Sequence, residues 1–246
     1  MGRRFLPRFV PFVLLAVFAA GTGPARAQAP DPTPNEPQLL LDDRSGGPLL
    51  GPDRIRVDPA GKTFVDPSSG TVFPSAMSVV SRSGDVTHLT ATGSGVRKKL
   101  VFKVYAAALY VDALAPLGTV PVNTIASTDM ARRIVMVFLR DVDGGKLKDG
   151  MREGFETVWK GKPGPELATE LDTFFSWMDA GIKKDQTIEL TYLPGEGLYT
   201  TVAGVMHPVI ARPDIARSIW QIWLGLEPIS GDLKRDLVRL VGETKH

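Results

Sequence analysis

The chain has 246 residues, 43% of them hydrophobic and 23% charged, with 29 basic and 27 acidic side chains. It contains no cysteine, which excludes disulfides and a lipid-bearing cysteine anchor. Its three histidines, His88, His207 and His246, lack the spacing of a metal site, and its charge is too balanced for a nucleic-acid binder, so neither zinc hydrolase chemistry nor nucleic-acid recognition is expected.

Residues 1–27 join a basic start (Arg3, Arg4, Arg8) to an apolar run from Val10 to Ala20 and the small-x-small site Ala25-Arg26-Ala27. That pattern predicts a signal peptide cleaved after Ala27, and a periplasmic or secreted protein. The apolar run is too short for a confident transmembrane span, so no integral membrane span is expected in the mature chain. Without the four arginines of residues 1–27, the mature chain has 25 basic and 27 acidic side chains, a net charge of −2.

Residues 28–74 are rich in Pro, Gly, Asp and Ser and read as a mobile leader. Leu39–Leu41 and Thr63–Val65 are apolar pieces within it that could lie on the domain as stray strands. From residue 75 to 246 the chain reads as one domain, long enough to bury a core. Strands are predicted near Met77–Ser81, Val86–Thr92, Leu100–Val111, Arg133–Leu139, Thr187–Tyr192 and Leu198–Met206. Helical spacing links Leu147, Met151, Phe155, Val158 and Trp159. Pro165 opens a second helix that ends before Gly181, and Pro213 opens a third that runs toward Gly225. Asp232–Val241 is a closing amphipathic helix. This order predicts an α+β fold with helices on one face of an antiparallel sheet.

The segment Gly93–Asp112 carries the most chemistry. A glycine-spaced turn is expected to deliver Arg97 into a β-prone run, where Arg97, Lys99, Val101, Lys103 and Tyr105 share a parity and so a face on an unbulged strand. A guanidinium beside a phenol suits a carboxylate or enolate, through a forked charged donor and a neutral one. The same alternation also fits a half-exposed strand with a wet basic face. Tyr110 is read as packing, and His207 beside Pro208 as a turn residue.

Thr92-Gly-Ser-Gly-Val-Arg97, Phe102-Lys-Val-Tyr105 with Leu109-Tyr110, Val158-Trp159-Lys160, and Ile222-Trp-Leu-Gly225 followed by Pro228 and Leu233 together resemble the chalcone isomerase family. The likeness is greatest to its bacterial exported members and its plant fatty-acid-binding relatives. The resemblance spans 75–244 and implies a large antiparallel β-sheet packed against a layer of α-helices, with a cleft between them. It aligns the oxyanion-stabilising arginine of the enzymes with Arg97, and the tyrosine of the fatty-acid-binding relatives with Tyr105. The enzymes' catalytic tyrosine falls at about Leu147, their asparagine at Gly154 and their serine or threonine at Ile222. The strand Ile134–Leu139 has no lysine where the enzymes carry one.

Leucine and isoleucine cannot donate those hydrogen bonds. The resemblance therefore implies a non-catalytic binder of a hydrophobic carboxylate such as a fatty acid. Its head would lie on Arg97 and Tyr105 and its tail along Leu147, Met151, Gly154 and Ile222, with Gly154 widening the groove. No catalytic residue, metal or cofactor is expected. The alternatives are an isomerase or lyase using Arg97 as electrophile and Tyr105 as acid, for which a lowered Tyr105 pKa would be the sign, and an interaction module with a closed cleft. Ordinary core packing remains open for Leu147, Met151 and Ile222.

Overall fold

The computed structural model describes residues 54–115, 122–160 and 164–242. The expected signal peptide, the leader as far as residue 53 and the last four residues lie outside the described residues.

Eight strands follow one another across one sheet in chain order, each antiparallel to the next. They are β1 (Arg56–Val65), β2 (Val72–Val80), β3 (Val86–Lys99), β4 (Phe102–Asp112), β5 (Arg132–Phe138), β6 (Thr187–Leu193), β7 (Gly197–Val202) and β8 (Val205–Met206). The helices are α1 (Val122–Ile125), α2 (Gly144–Trp159), α3 (Pro165–Ser176), α4 (Pro213–Leu224) and α5 (Gly231–Leu237), with a 3-10 turn at Arg239–Gly242. The α+β expectation holds, and the predicted helices correspond to α2, α3, α4 and α5, except that the helix expected over Asp232–Val241 leaves the α-conformation at Val238 and ends in the 3-10 turn.

β4 shows why its sequence lacks a clean polar alternation. Tyr105, Ala107, Leu109 and Val111 face the cluster shared with α2, α4 and α5, while Ala106, Ala108 and Tyr110 face a second cluster with Phe73, Met77 and Leu89. A strand buried on both faces has no side left for water. Tyr110 is fully buried in that second cluster, and its hydroxyl donates to the Pro74 carbonyl at 3.0 Å.

Three expectations are corrected. The leader does not extend to residue 74, because β1 pairs with β2 from Arg56 onward and Thr63–Val65 belongs to that strand. β1 is almost wholly exposed, so backbone pairing rather than apolar burial holds it, and its composition gave no periodic signal. The turn after it is anchored by Asp66, which is 1% exposed; its carboxylate accepts from the Ser69 amide at 2.8 Å and from the Ser94 hydroxyl at 3.0 Å. The strand predicted over Leu198–Met206 breaks into β7 and β8 at Ala203 and Gly204, both left-handed (φ 51° and 84°).

The third correction concerns the glycines before Arg97. They lie inside β3, at a bulge between Ala91 and Gly93, rather than in a turn. Helix α5 crosses the strand there: a Cβ on Gly93 would stand 2.2 Å from the Asp236 carbonyl oxygen, and one on Gly95 would stand 2.6 Å from the Asp236 Cβ. The glycines are a landing strip for a helix. The Thr92 hydroxyl fastens the contact by donating to the Leu237 carbonyl at 2.7 Å.

Candidate functional site

The actual turn lies three residues later. β3 ends at Lys99, Leu100 takes a left-handed conformation (φ 56°), and β4 begins at Phe102. Arg97 and Tyr105 are therefore on neighbouring strands, not on one. They pair directly across the ladder, with a register shift immediately beyond Arg97. Direct cross-strand partners share a face, so the arginine and the phenol do meet, by pairing instead of by parity.

Both line a cleft of roughly 530 Å³ between this end of the sheet and the helices, within the range of ordinary small-molecule sites. β5 contributes Met136 and Phe138 to its wall, α2 contributes Leu147 and Met151, and α4 contributes Ile222 and Trp223. Leu147, Met151 and Ile222 are mostly buried at 8%, 7% and 1% exposure, so they serve the core and the cleft at once. Charged side chains line the cleft as well: Lys99, Arg140, Asp141, Asp143, Lys146, Asp149 and Glu153. Asp143 caps α2 by accepting from the Lys146 amide at 3.0 Å.

Gly154 does not widen this cleft. A Cβ there would stand 2.8 Å from Ile222 Cγ2, so the missing side chain lets α2 close onto α4. The glycine sets the helix spacing that holds Ile222 against the cleft, and acts through packing alone.

Tyr105 is 8% exposed, and its ring lies 5.5 Å from that of Phe138. Its hydroxyl oxygen accepts from the Trp223 indole N–H at 3.0 Å, and among the described residues no other hydrogen-bond partner meets it. Its own O–H is thus left as a donor. Burial pushes the phenol up to about 12, against the pull of the Trp223 hydrogen bond and of the Arg97 charge. Arg97 is half-buried and donates to the Lys98 carbonyl; among the described residues no carboxylate pairs with it. The site thus presents the Arg97 guanidinium beside a neutral phenol, next to the apolar wall formed by Met136, Phe138, Leu147, Met151 and Ile222.

Neither Trp223, read from the sequence only as part of the piece Ile222–Gly225, nor Phe138 was singled out as a site residue. Trp223 lies beside Ile222 on an evidently amphipathic helix, but only the fold shows its N–H reaching a strand 118 positions away. His207 stacks on Trp177 with ring centroids 4.7 Å apart, a role that a turn assignment did not anticipate. Among the described residues no group of three or more His, Cys, Asp or Glu side chains is placed to hold a metal ion, and no helix is long and apolar enough to cross a membrane.

The raised Tyr105 pKa gives a stability prediction. Between an unfolded value near 10 and a folded value of about 12, the folded state holds a proton that the unfolded state has lost. Its contribution is therefore complete below about pH 10 and disappears as pH rises toward 12, a change of roughly 2–3 kcal/mol. In urea unfolding at a series of pH values across this window, Tyr105→Phe is expected to lose less stability than the wild type by about that amount. The other buried tyrosines act equally in both proteins, so the difference isolates Tyr105.

Comparison with known proteins agrees with this architecture. The family profile described as chalcone isomerase-like matches residues 69–238. The crystal structure of a fatty-acid binding protein of Arabidopsis thaliana has a TM-score of 0.55 to this chain at 20% identity, covering 74% of this chain and 98% of that one. Among curated proteins, none matches the chain.

Proposed function

The chain belongs to the chalcone isomerase-like family, and from that premise we propose that it is a non-catalytic binding protein that holds a fatty acid or similar hydrophobic carboxylate in the cleft between sheet and helices. The carrying observation is a cleft of about 530 Å³ that joins an apolar wall to an arginine which, among the described residues, pairs with no carboxylate. A carboxylate accepts from the guanidinium fork and from the Tyr105 hydroxyl, while its chain displaces water from Leu147, Met151 and Ile222. Each methylene so buried contributes about 0.8 kcal/mol.

The isomerase alternative requires Tyr105 to give up a proton readily. Burial moves its pKa the other way, to about 12, which favours a phenol that stays neutral and donates a hydrogen bond. The Arabidopsis neighbour is described as a fatty-acid binding protein, and that supports the same reading. Export is part of the proposal: the basic start, apolar run and Ala25-Arg26-Ala27 of the sequence direct the protein to the periplasm or the medium after cleavage near Ala27.

The test is calorimetric titration with dodecanoate and with dodecanol. Dodecanoate is expected to bind at least tenfold more tightly, because only it places charge on Arg97. Equal affinities would remove the arginine from the reading. Absence of binding by either would overturn it.

A further inference from the structure

The tip of the β3–β4 hairpin is unusual. Three successive apolar side chains, Leu100, Val101 and Phe102, are 90%, 84% and 55% exposed. Hairpin tips ordinarily carry Gly, Asn or Asp, which are soluble and tolerate left-handed backbone. Here a leucine occupies the left-handed position (φ 56°), where it has neither advantage.

Along the hairpin itself the charge has one sign. Arg97, Lys98 and Lys99 precede it, Lys103 follows it, and the hairpin from 97 to 103 contains no acid. Lys98 and Lys103 lie directly opposite each other in the ladder, a repulsive pairing that strands normally avoid. The Arg140 guanidinium sits 4.8 Å over the Phe102 ring and adds a further cation. Acid near the tip belongs to the other wall, where Glu153 of α2 pairs with Lys99 at 3.7 Å. Exposed aliphatics flanked by Lys98 and Lys103, which among the described residues pair with no acid (Lys103 donates to the Ser68 carbonyl), match a surface that is apolar inside and anionic outside.

We propose that this hairpin tip docks on an anionic lipid bilayer, with Leu100 and Val101 entering the acyl boundary and Lys98 and Lys103 lying among the phosphates. Arg97, Lys99, Leu100 and Phe102 also line the cleft. Docking therefore brings the cleft rim to the membrane, where a hydrophobic carboxylate can pass between lipid and protein; this last step rests on the proposed function, whereas docking itself does not.

The absence of native cysteine allows a site-specific test. Val101→Cys, carrying an environment-sensitive NBD dye, is mixed as whole protein with phosphatidylcholine vesicles, or with vesicles containing about one-third phosphatidylglycerol. Emission is expected to rise severalfold on the anionic vesicles alone. Adding Lys98→Gln and Lys103→Gln is expected to weaken that response by about 25-fold, roughly fivefold per lysine. Replacing Leu100 with Ser should weaken it by about tenfold.

Unchanged emission on both vesicles overturns the proposal. So does a change that follows protein concentration without lipid, which would assign the tip to contact with a second copy. The dodecanoate titration separates the two readings. Dodecanoate binding without vesicle docking would remove only this inference, and docking without dodecanoate binding would remove only the proposed function.

Discussion

Replacing Arg97 with glutamine is expected to weaken dodecanoate binding by about a hundredfold while leaving the unfolding midpoint almost unchanged. The two expectations follow from the same feature. Arg97 is half-exposed and, among the described residues, its guanidinium donates only to the neighbouring Lys98 carbonyl, so the fold rests little on its charge, and a substitution of this kind stays within about 0.5 kcal/mol. A carboxylate in the cleft gains from it a charge-assisted, forked contact of about 1.5–3 kcal/mol. Glutamine keeps the polar stem but supplies a single neutral donor in place of the fork. Dodecanol, which carries no charge for Arg97 to meet, should lose no more than a fewfold in affinity. Calorimetry with both ligands, beside urea unfolding of the same samples, checks this. An equal loss for acid and alcohol would make Arg97 a shaping residue rather than the contact for the head group.

Gly93→Ala is expected to be strongly destabilising, costing about 4 kcal/mol or more in urea unfolding. Its Cβ would stand 2.2 Å from the Asp236 carbonyl oxygen and 3.0 Å from the Leu237 carbonyl. These are backbone atoms, which no rotamer change can move aside. The residue also sits at φ 153°, at the edge of the region that side chains rarely enter. Lifting α5 would break the hydrogen bond from Thr92 to Leu237 and would expose Leu233 and Leu237, both now buried. Gly150→Ala is the control: it lies exposed in α2 with nothing within 4 Å of its would-be Cβ. It should stabilise the protein by up to about 1 kcal/mol through helix propensity. A mild Gly93→Ala would mean that α5 can move off the sheet without cost.

Much of this architecture could be read along the chain, because it depends on local chemistry. Pro165 and Pro213 marked helix starts, since proline at a first turn forfeits no hydrogen bond. The spacing of Leu147, Met151 and Phe155 marked the inner face of α2. The resemblance to chalcone isomerases rested on the order of such pieces, and it pointed to Arg97 and Tyr105 before any contact was visible. Of β1 only the end, Thr63–Val65, was legible as a possible strand, because the rest of a strand held by its ladder and left in water carries no apolar rhythm. The split of β7 from β8 escaped because Ala203, an ordinary residue, takes a left-handed conformation beside Gly204.

What the sequence determined by itself is the kind of protein: an α+β domain of this family, with an apolar helix face, one well-placed arginine and no cysteine. What only the tertiary structure decided is which residues meet. It showed that Arg97 faces Tyr105 across a hairpin instead of along a strand, that Trp223 holds the phenol, and that Gly154 serves the α2–α4 contact and not the cleft. It also left Leu100 and Val101 bare at the tip. The reason is physical: periodicity records how often a residue turns toward the core, whereas register, bulges and close backbone approaches depend on segments more than a hundred residues apart settling against one another.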